Sequence, residues 1–174
     1  MYTPIDQSFF EAPGLELARA LLGQYIVHEG PTGLLVGRIV ETEAYQGPED
    51  RAAHSFDNRK TKRTEIMFGK AGLVYIYQMH MHKLINVIAG PIGTPHGILI
   101  RAIEPVLGHE QMRKNRGGIA KEVDWTNGPG KLTKALGITM EYYGHHWSHR
   151  PLFIAKGPGV KEIVAGPRVG IGSS

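Results

Sequence analysis

The chain has 174 residues, 41% of them apolar and 21% charged, which fits one globular domain with a sizeable core and argues against disorder and against a second domain. It contains no cysteine, so a disulfide framework, a cysteine nucleophile and a thiolate metal site are excluded and a reducing compartment is the natural setting. No apolar run approaches the roughly 20 residues that span a bilayer, and the N-terminus lacks the basic-then-apolar order of a signal peptide; the expectation is an intracellular protein, cytoplasmic in a bacterium and nuclear in a eukaryote.

The net charge of +4 is unevenly spread. Residues 1–50 carry two basic and eight acidic side chains, whereas residues 51–70 and 111–134 each carry six basic and two acidic ones. Basic clusters of this kind neutralise phosphates and give salt-dependent binding to nucleic acid, although an uneven solvated surface has the same composition.

In chain order, Leu15, Ala18, Leu21 and Leu22 fall at helical spacing and predict an opening helix ended by Gly23. Residues 24–28 and 34–45 read as two strands joined by the turn Gly30-Pro31-Thr32-Gly33. Further strands are expected at 73–79, 84–88 and 97–103, and short helices at 107–114 and 131–136, the latter stopped by Gly137. There is no repeat, low-complexity tract or long linker. The expected fold class is α+β, a single mixed domain with a curved antiparallel β-sheet flanked by short helices.

Several segments carry side chains suited to chemistry. In Glu41-Thr42-Glu43-Ala44-Tyr45, alternation along a strand puts Glu41, Glu43 and Tyr45 on one face. A carboxylate beside aromatic surface suits the activation of water, while the same pattern also fits a solvated strand end. His54 follows, then Arg59, Lys60, Lys62 and Arg63 in an exposed polar loop that suits DNA phosphates or simply solvent. In the strand over 73–79, Tyr75, Tyr77 and Met79 share one face, with Ile76, Gln78 and His80 on the other. Such rings stack on an extruded base or pack in a core. His80 and His82 could instead join Glu41, Glu43 or His54 around a metal, but no recognised zinc spacing is present. Gly128-Pro129-Gly130-Lys131 lacks the spacing of a nucleotide phosphate loop, yet a helix starting there could hold a DNA phosphate at Lys131. Arg101, among apolar neighbours, requires a carboxylate partner if buried.

Taken together, the blocks Arg38-Ile39-Val40-Glu41-Thr42-Glu43-Ala44-Tyr45, Asp50-Arg51-Ala52-Ala53-His54-Ser55, Leu99-Ile100-Arg101-Ala102-Ile103-Glu104-Pro105, Asn127-Gly128-Pro129-Gly130-Lys131-Leu132 and Pro167-Arg168-Val169-Gly170 resemble, in order and spacing, the alkyladenine (3-methyladenine, methylpurine) DNA glycosylase family. The resemblance runs from about Phe9 to the end and implies a single glycosylase domain over residues 1–174. It implies a monofunctional enzyme that flips alkylated or deaminated purines from duplex DNA and hydrolyses the N-glycosidic bond, initiating base excision repair. Glu43 would be the general base for the attacking water, Arg101 would hold carboxylate and water in place, and the Val169 carbonyl would help position the water. Tyr45, His54 and Tyr77 would form the base pocket, with Asn86 crowding its floor against the exocyclic amine of guanine. The resemblance implies no metal and no cofactor, a monomer, and double-stranded DNA with damaged purines as partner.

Two departures stand out. The stretch holding the family's wedge tyrosine is one residue shorter here, which makes His80 the candidate wedge and Met79 the alternative. The sequence also stops at Ile171-Gly172-Ser173-Ser174, where members continue through a segment that completes the sheet, so an incomplete chain is expected. A histidine and carboxylate metallohydrolase, and a nucleic-acid binding module without chemistry, are the competing readings.

Overall fold

The computed structural model describes residues 1–171 of the chain. The expected chain end at Gly172, Ser173 and Ser174 lies outside the described residues. Six strands, β1 (Tyr25–Gly30), β2 (Gly33–Gln46), β3 (Val74–Met79), β4 (His82–Ala89), β5 (His96–Leu107) and β6 (Leu152–Ala155), form one antiparallel sheet in the order β3-β4-β5-β2-β1-β6. Four helices accompany it: α1 (Gly14–Leu21), α2 (His109–Asn115), α3 (Val123–Thr126) and α4 (Pro129–Ala135). The sheet is curled, and the fold class is the α+β arrangement read from the sequence.

The period-2 alternation of the strands divides the sheet into two faces. Val74 and Ile76 of β3, Ile85 and Val87 of β4, and Ile98 and Ile100 of β5 are fully buried in the main core. Leu17 and Leu21 of α1 and Leu132 of α4 complete that core from the helical side. Each such side chain contributes about 1.5–3 kcal/mol by leaving water, and this face fixes the register of the strands. On the opposite face Tyr75, Asn86, Leu99 and Glu43 stand in one row across β3, β4, β5 and β2. One face therefore supplies stability and the other is left to carry polar and aromatic groups.

The pairing of β2 with β5 is irregular where it matters for the site. Ile39 faces Ile103, Glu41 faces Ala102 and Thr42 faces Ile100, which leaves Val40 and Arg101 without partners at two successive bulges. In regular pairing Arg101 would lie opposite Thr42; the bulge instead sets it alongside the glutamates, on the same face as Leu99 and Glu43.

Element boundaries shift where tertiary pairing extends a strand past its local pattern. The last core strand runs to Leu107, and Gly108, at φ 88°, turns the chain so that the helix expected from 107 begins at His109. Pro129 stands at the start of α4, two residues before the expected 131, because a missing N–H costs nothing at a helix N-terminus. His80 is not a strand residue: it lies with Met81 in the two-residue β3-β4 turn, at φ 55°, because the pairing of Met79 with His82 closes the ladder there. The strand β6 and helix α3 had no expectation in the sequence, being only four residues each.

A polar link ties β1 to the helical layer. The buried His28 donates through Nδ1 to the Leu136 carbonyl at 2.6 Å, and its Nε2 lies 2.8 Å from the Tyr142 hydroxyl, which donates to it when the ring is neutral. Burial pushes its pKa below the ordinary 6.5, more than the Leu136 hydrogen bond raises it. Burial also lowers His54, His96 and His146. Below pH 6.5 the unfolded chain takes up these protons before the folded one, so stability falls as the pH drops through that value. Replacing His28 by Gln is expected to flatten the dependence of Tm on pH between about 6.5 and 5; a slope unchanged from the parent would refute the assignment.

Candidate active site

Glu43 sits near the end of β2 and is 7% exposed. A buried carboxylate needs partners in place of its water, and Glu43 has two hydrogen-bond donors and one ion-pair partner. The Val169 backbone N–H donates to Oε1 at 2.7 Å and the Tyr45 hydroxyl to Oε2 at 2.8 Å. Arg101 Nε lies 3.5 Å from Oε1 and also donates to Glu41 Oε1 at 3.1 Å. The carboxylate partner expected for a buried Arg101 is therefore a pair of glutamates. The Arg101 side chain is 16% exposed, the Glu41 side chain 49%. Glu41 thus caps the cluster from the solvent side while Glu43 forms its interior.

An aromatic cluster stands beside the carboxylate. The rings of His54 and Tyr77 lie 4.5 Å apart at 76°, and those of Tyr75 and Tyr77 5.6 Å apart at 33°. His54 Nδ1 and the Tyr75 hydroxyl are 2.9 Å apart, which orients the imidazole. Burial, and next the charge of Arg63, hold the His54 pKa below the ordinary value. Burial and the neighbouring negative charge of Glu43 push the Tyr77 hydroxyl up, and burial followed by the hydrogen bond to Glu43 does the same for Tyr45. Both phenols are therefore neutral donors at ordinary pH. Asn86 is buried in β4 opposite Tyr75, with its Nδ2 donating to the Tyr75 carbonyl at 3.2 Å.

Two cavities flank this cluster. One of about 970 Å³ lies between α1, β2 and the extended segment after β6, and Glu43, Glu41 and Val169 line it. Tyr45 and Tyr77 are not among its lining residues; they meet Glu43 from the aromatic side. The other, about 520 Å³, is lined by His54 together with Arg51, Arg59 and Arg63. Arg63 also places its guanidinium 6.0 Å from the Tyr77 ring centre.

The remaining sequence candidates are dispersed. Lys60 and Lys62 are exposed, Lys60 above the Phe68 ring at 5.6 Å. Lys131 donates to Asn127 at 2.8 Å at the start of α4, where a side chain on Gly130 would collide with His82 of the β3-β4 hairpin. Met79 is 48% exposed, His80 is exposed in the turn, and Met81, which sequence reasoning passed over, is 88% exposed at its tip. Among the described residues no group of three or more histidines or carboxylates could hold a metal ion, so the set Glu41, Glu43, His54, His80 and His82 does not converge. The histidines of the hairpin end away from the glutamates because the strand pairing carries the turn past the Glu43 row.

Sequence reasoning also missed Tyr75 as the partner of His54 and the ion pair of Asp50 with Arg168. Opposite charges in two of the motif blocks were the available signal, but their separation of 118 residues hid it.

The chain that carries this buried glutamate beside tyrosines and a histidine is similar to known proteins over nearly its whole length. Residues 8–174 match the family model described as Methylpurine-DNA glycosylase. The chain belongs to the methylpurine-DNA glycosylase family. As a member it is a hydrolase acting on N-glycosyl bonds, a DNA glycosylase for alkylated purines in DNA repair. A relative from Bacillus licheniformis is 55% identical over 99% of this chain and 88% of its own length. One from Bacillus subtilis is 53% identical over 98% and 87%, and one from Oceanobacillus iheyensis 47% identical over 98% and 85%. All three bear the name "Putative 3-methyladenine DNA glycosylase". No helix among the described residues is long and apolar enough to cross a membrane.

The geometry makes Glu43 dependent on Arg101. Removing the guanidinium as Arg101→Ala leaves two neighbouring carboxylates without their cation and is expected to cost about 2–3 kcal/mol. Glu41→Gln, at a half-exposed position, should change stability by less than about 1 kcal/mol. Urea unfolding of both variants checks this; equal effects would show that Arg101 serves the exposed glutamate alone.

Proposed function

We propose that this glycosylase extrudes a damaged purine from duplex DNA and hydrolyses its N-glycosidic bond with water activated by Glu43. The single observation that carries the reading is the setting of that carboxylate: buried, yet held by hydrogen bonds from Val169 and Tyr45 and by an ion pair with Arg101. Hydrogen bonds to the charged form keep a carboxylate available as a base, and holding water in place removes part of the entropic barrier. Alkylation leaves positive charge on the purine, so the departing base needs little help. Water attacks C1′, the glycosidic electron pair leaves with the base, and Glu43 takes the water proton, leaving an abasic site.

Arg101 orients Glu43 and the water, and the Val169 carbonyl completes the water's surroundings while its N–H holds the carboxylate. Tyr45, His54 and Tyr77 receive the extruded base by stacking and hydrogen bonding, and Asn86 narrows the floor of that pocket. Unstacking costs a few kcal/mol and least for damaged or mispaired bases, which adds to selectivity and extends the substrate range to deaminated purines. The exposed hairpin turn, with His80 or Met79, fills the gap left in the duplex, while Arg59, Lys60, Lys62, Arg63 and Lys131 hold phosphates. The protein works as a monomer inside the cell, without a metal or cofactor.

The test is base release from duplex oligonucleotides that carry 3-methyladenine, 7-methylguanine, hypoxanthine or ethenoadenine. Glu43→Gln is expected to slow release by at least about 10²-fold with DNA binding largely retained, and the parent to keep full activity in excess EDTA. Release by Glu43→Gln at the parent rate would remove the proposed base. Activity lost on chelation would restore the metallohydrolase, and binding without release by the parent would favour a module without chemistry.

A further inference from the structure

We propose that Arg168, paired with Asp50, is a positioning residue for the hydrolytic step, holding the Tyr45 hydroxyl and the Val169 N–H against the two oxygens of Glu43. This rests on the reading of Glu43 as the base. It concerns the segment that follows β6, whose described residues, 156–171, have no regular secondary structure of their own and still reach the centre of the site.

The path of that segment is set by two close contacts. At its start Gly157 donates to Gln24 Oε1 at 2.9 Å, and a side chain on Gly23 would meet the Gly159 backbone at 2.3 Å. Backbone therefore lies on backbone where α1 ends. At its far end stands Arg168. β2 runs to Gln46, but β1 pairs with it only as far as Arg38, so the later part of β2 has an edge that β1 does not cover. Arg168 Nη1 donates to the Ala44 carbonyl on this stretch at 3.1 Å. Its guanidinium forms a two-pronged ion pair with Asp50, through Nη2 to Oδ1 at 2.9 Å and through Nη1 to Oδ2.

Asp50 is fixed in turn, accepting from the backbone N–H of Ala52 at 3.0 Å and of Gln46 at 3.1 Å. Burial alone would raise its pKa, but the hydrogen bonds from Arg168, Ala52 and Gln46 and the Arg168 charge hold it below the usual range. The same guanidinium lies over the Tyr45 ring, 4.9 Å from its centre. One cation thus restrains both neighbours of Glu43. It sets the plane of the ring whose hydroxyl meets Oε2, and it anchors the residue preceding the N–H that meets Oε1. Neither contact is made by the guanidinium itself, so Arg168 acts through Tyr45 and Val169.

The charged and titratable groups around Glu43 are Glu41, Tyr45, Arg101, Tyr77 and Arg168. Of these, Arg168 and Asp50 can be altered without touching a group assigned to substrate. Freed from its pair, the segment loses its hold on β2, and the carboxylate loses the two contacts that fix its direction.

The experiment is single-turnover release of a methylated purine from duplex DNA. It compares the parent with Arg168→Gln, Asp50→Asn, the double variant and Glu43→Gln, each with its Tm and DNA affinity. Both single variants are expected to slow the chemical step roughly tenfold to a hundredfold, as small misplacements of reacting groups do. DNA affinity should be largely retained and Tm too little changed to account for the loss, and the double variant should be no slower than the worse single one, because the two side chains act as a unit. If Arg168→Gln and Asp50→Asn keep the parent rate while Glu43→Gln is inactive, the positioning role is wrong and the base assignment stands. A slower rate that tracks lost Tm or affinity likewise overturns it. Release by Glu43→Gln at the parent rate overturns the base assignment, and the present proposal falls with it.

Discussion

The site is organised around one carboxylate, Glu43, that lies almost wholly buried and needs protein partners in place of water. Glu43 is 7% exposed, and an unpaired charge there would cost several kcal/mol. Three partners offset that penalty: the Arg101 guanidinium of β5 at ion-pair distance, the Tyr45 phenol two residues along β2, and the Val169 N–H of the C-terminal segment. The same groups that make burial tolerable also fix the direction of the carboxylate.

The sheet makes the convergence possible by separating two tasks. Its helix-covered face holds the isoleucines, valines and leucines that stabilise the domain, which leaves the opposite face free for side chains unsuited to a core. The row from Tyr75 through Asn86 and Leu99 to Glu43 needs only correct register. Strand register is set by the apolar face, so stability and site geometry are coupled through the backbone. The bulges at Val40 and Arg101 are where the coupling is adjusted, since they bring a cation of β5 alongside both glutamates of β2.

Around this centre the protein arranges positive charge on exposed elements and aromatic groups on half-buried ones. Arg51, Arg59 and Arg63 border the cavity next to His54, whereas Lys60 and Lys62 stand in solvent. The cationic loop and the aromatic cluster thus adjoin, an arrangement suited to a ligand that offers phosphates outside and a planar ring inside. The exposed β3-β4 turn, with Met81 at its tip, lies against the start of α4, so a second group of candidate contacts is contiguous rather than scattered.

Local pattern settled much of this from the sequence alone. Apolar alternation marked the first five strands, helical spacing marked α1, and Glu41, Glu43 and Tyr45 were legible as one face because side chains alternate along any strand. The ordered motif blocks marked the family because five of them recur in the same order and spacing. Tertiary structure alone decided which way Arg101 points, since that depends on a bulge in pairing with a strand some 60 residues earlier. It also decided that His80 belongs to a turn, that β6 closes the far edge, and that Arg168 meets Asp50. These are long-range contacts, whose partners are chosen by how the whole sheet packs and not by the identity of neighbouring residues.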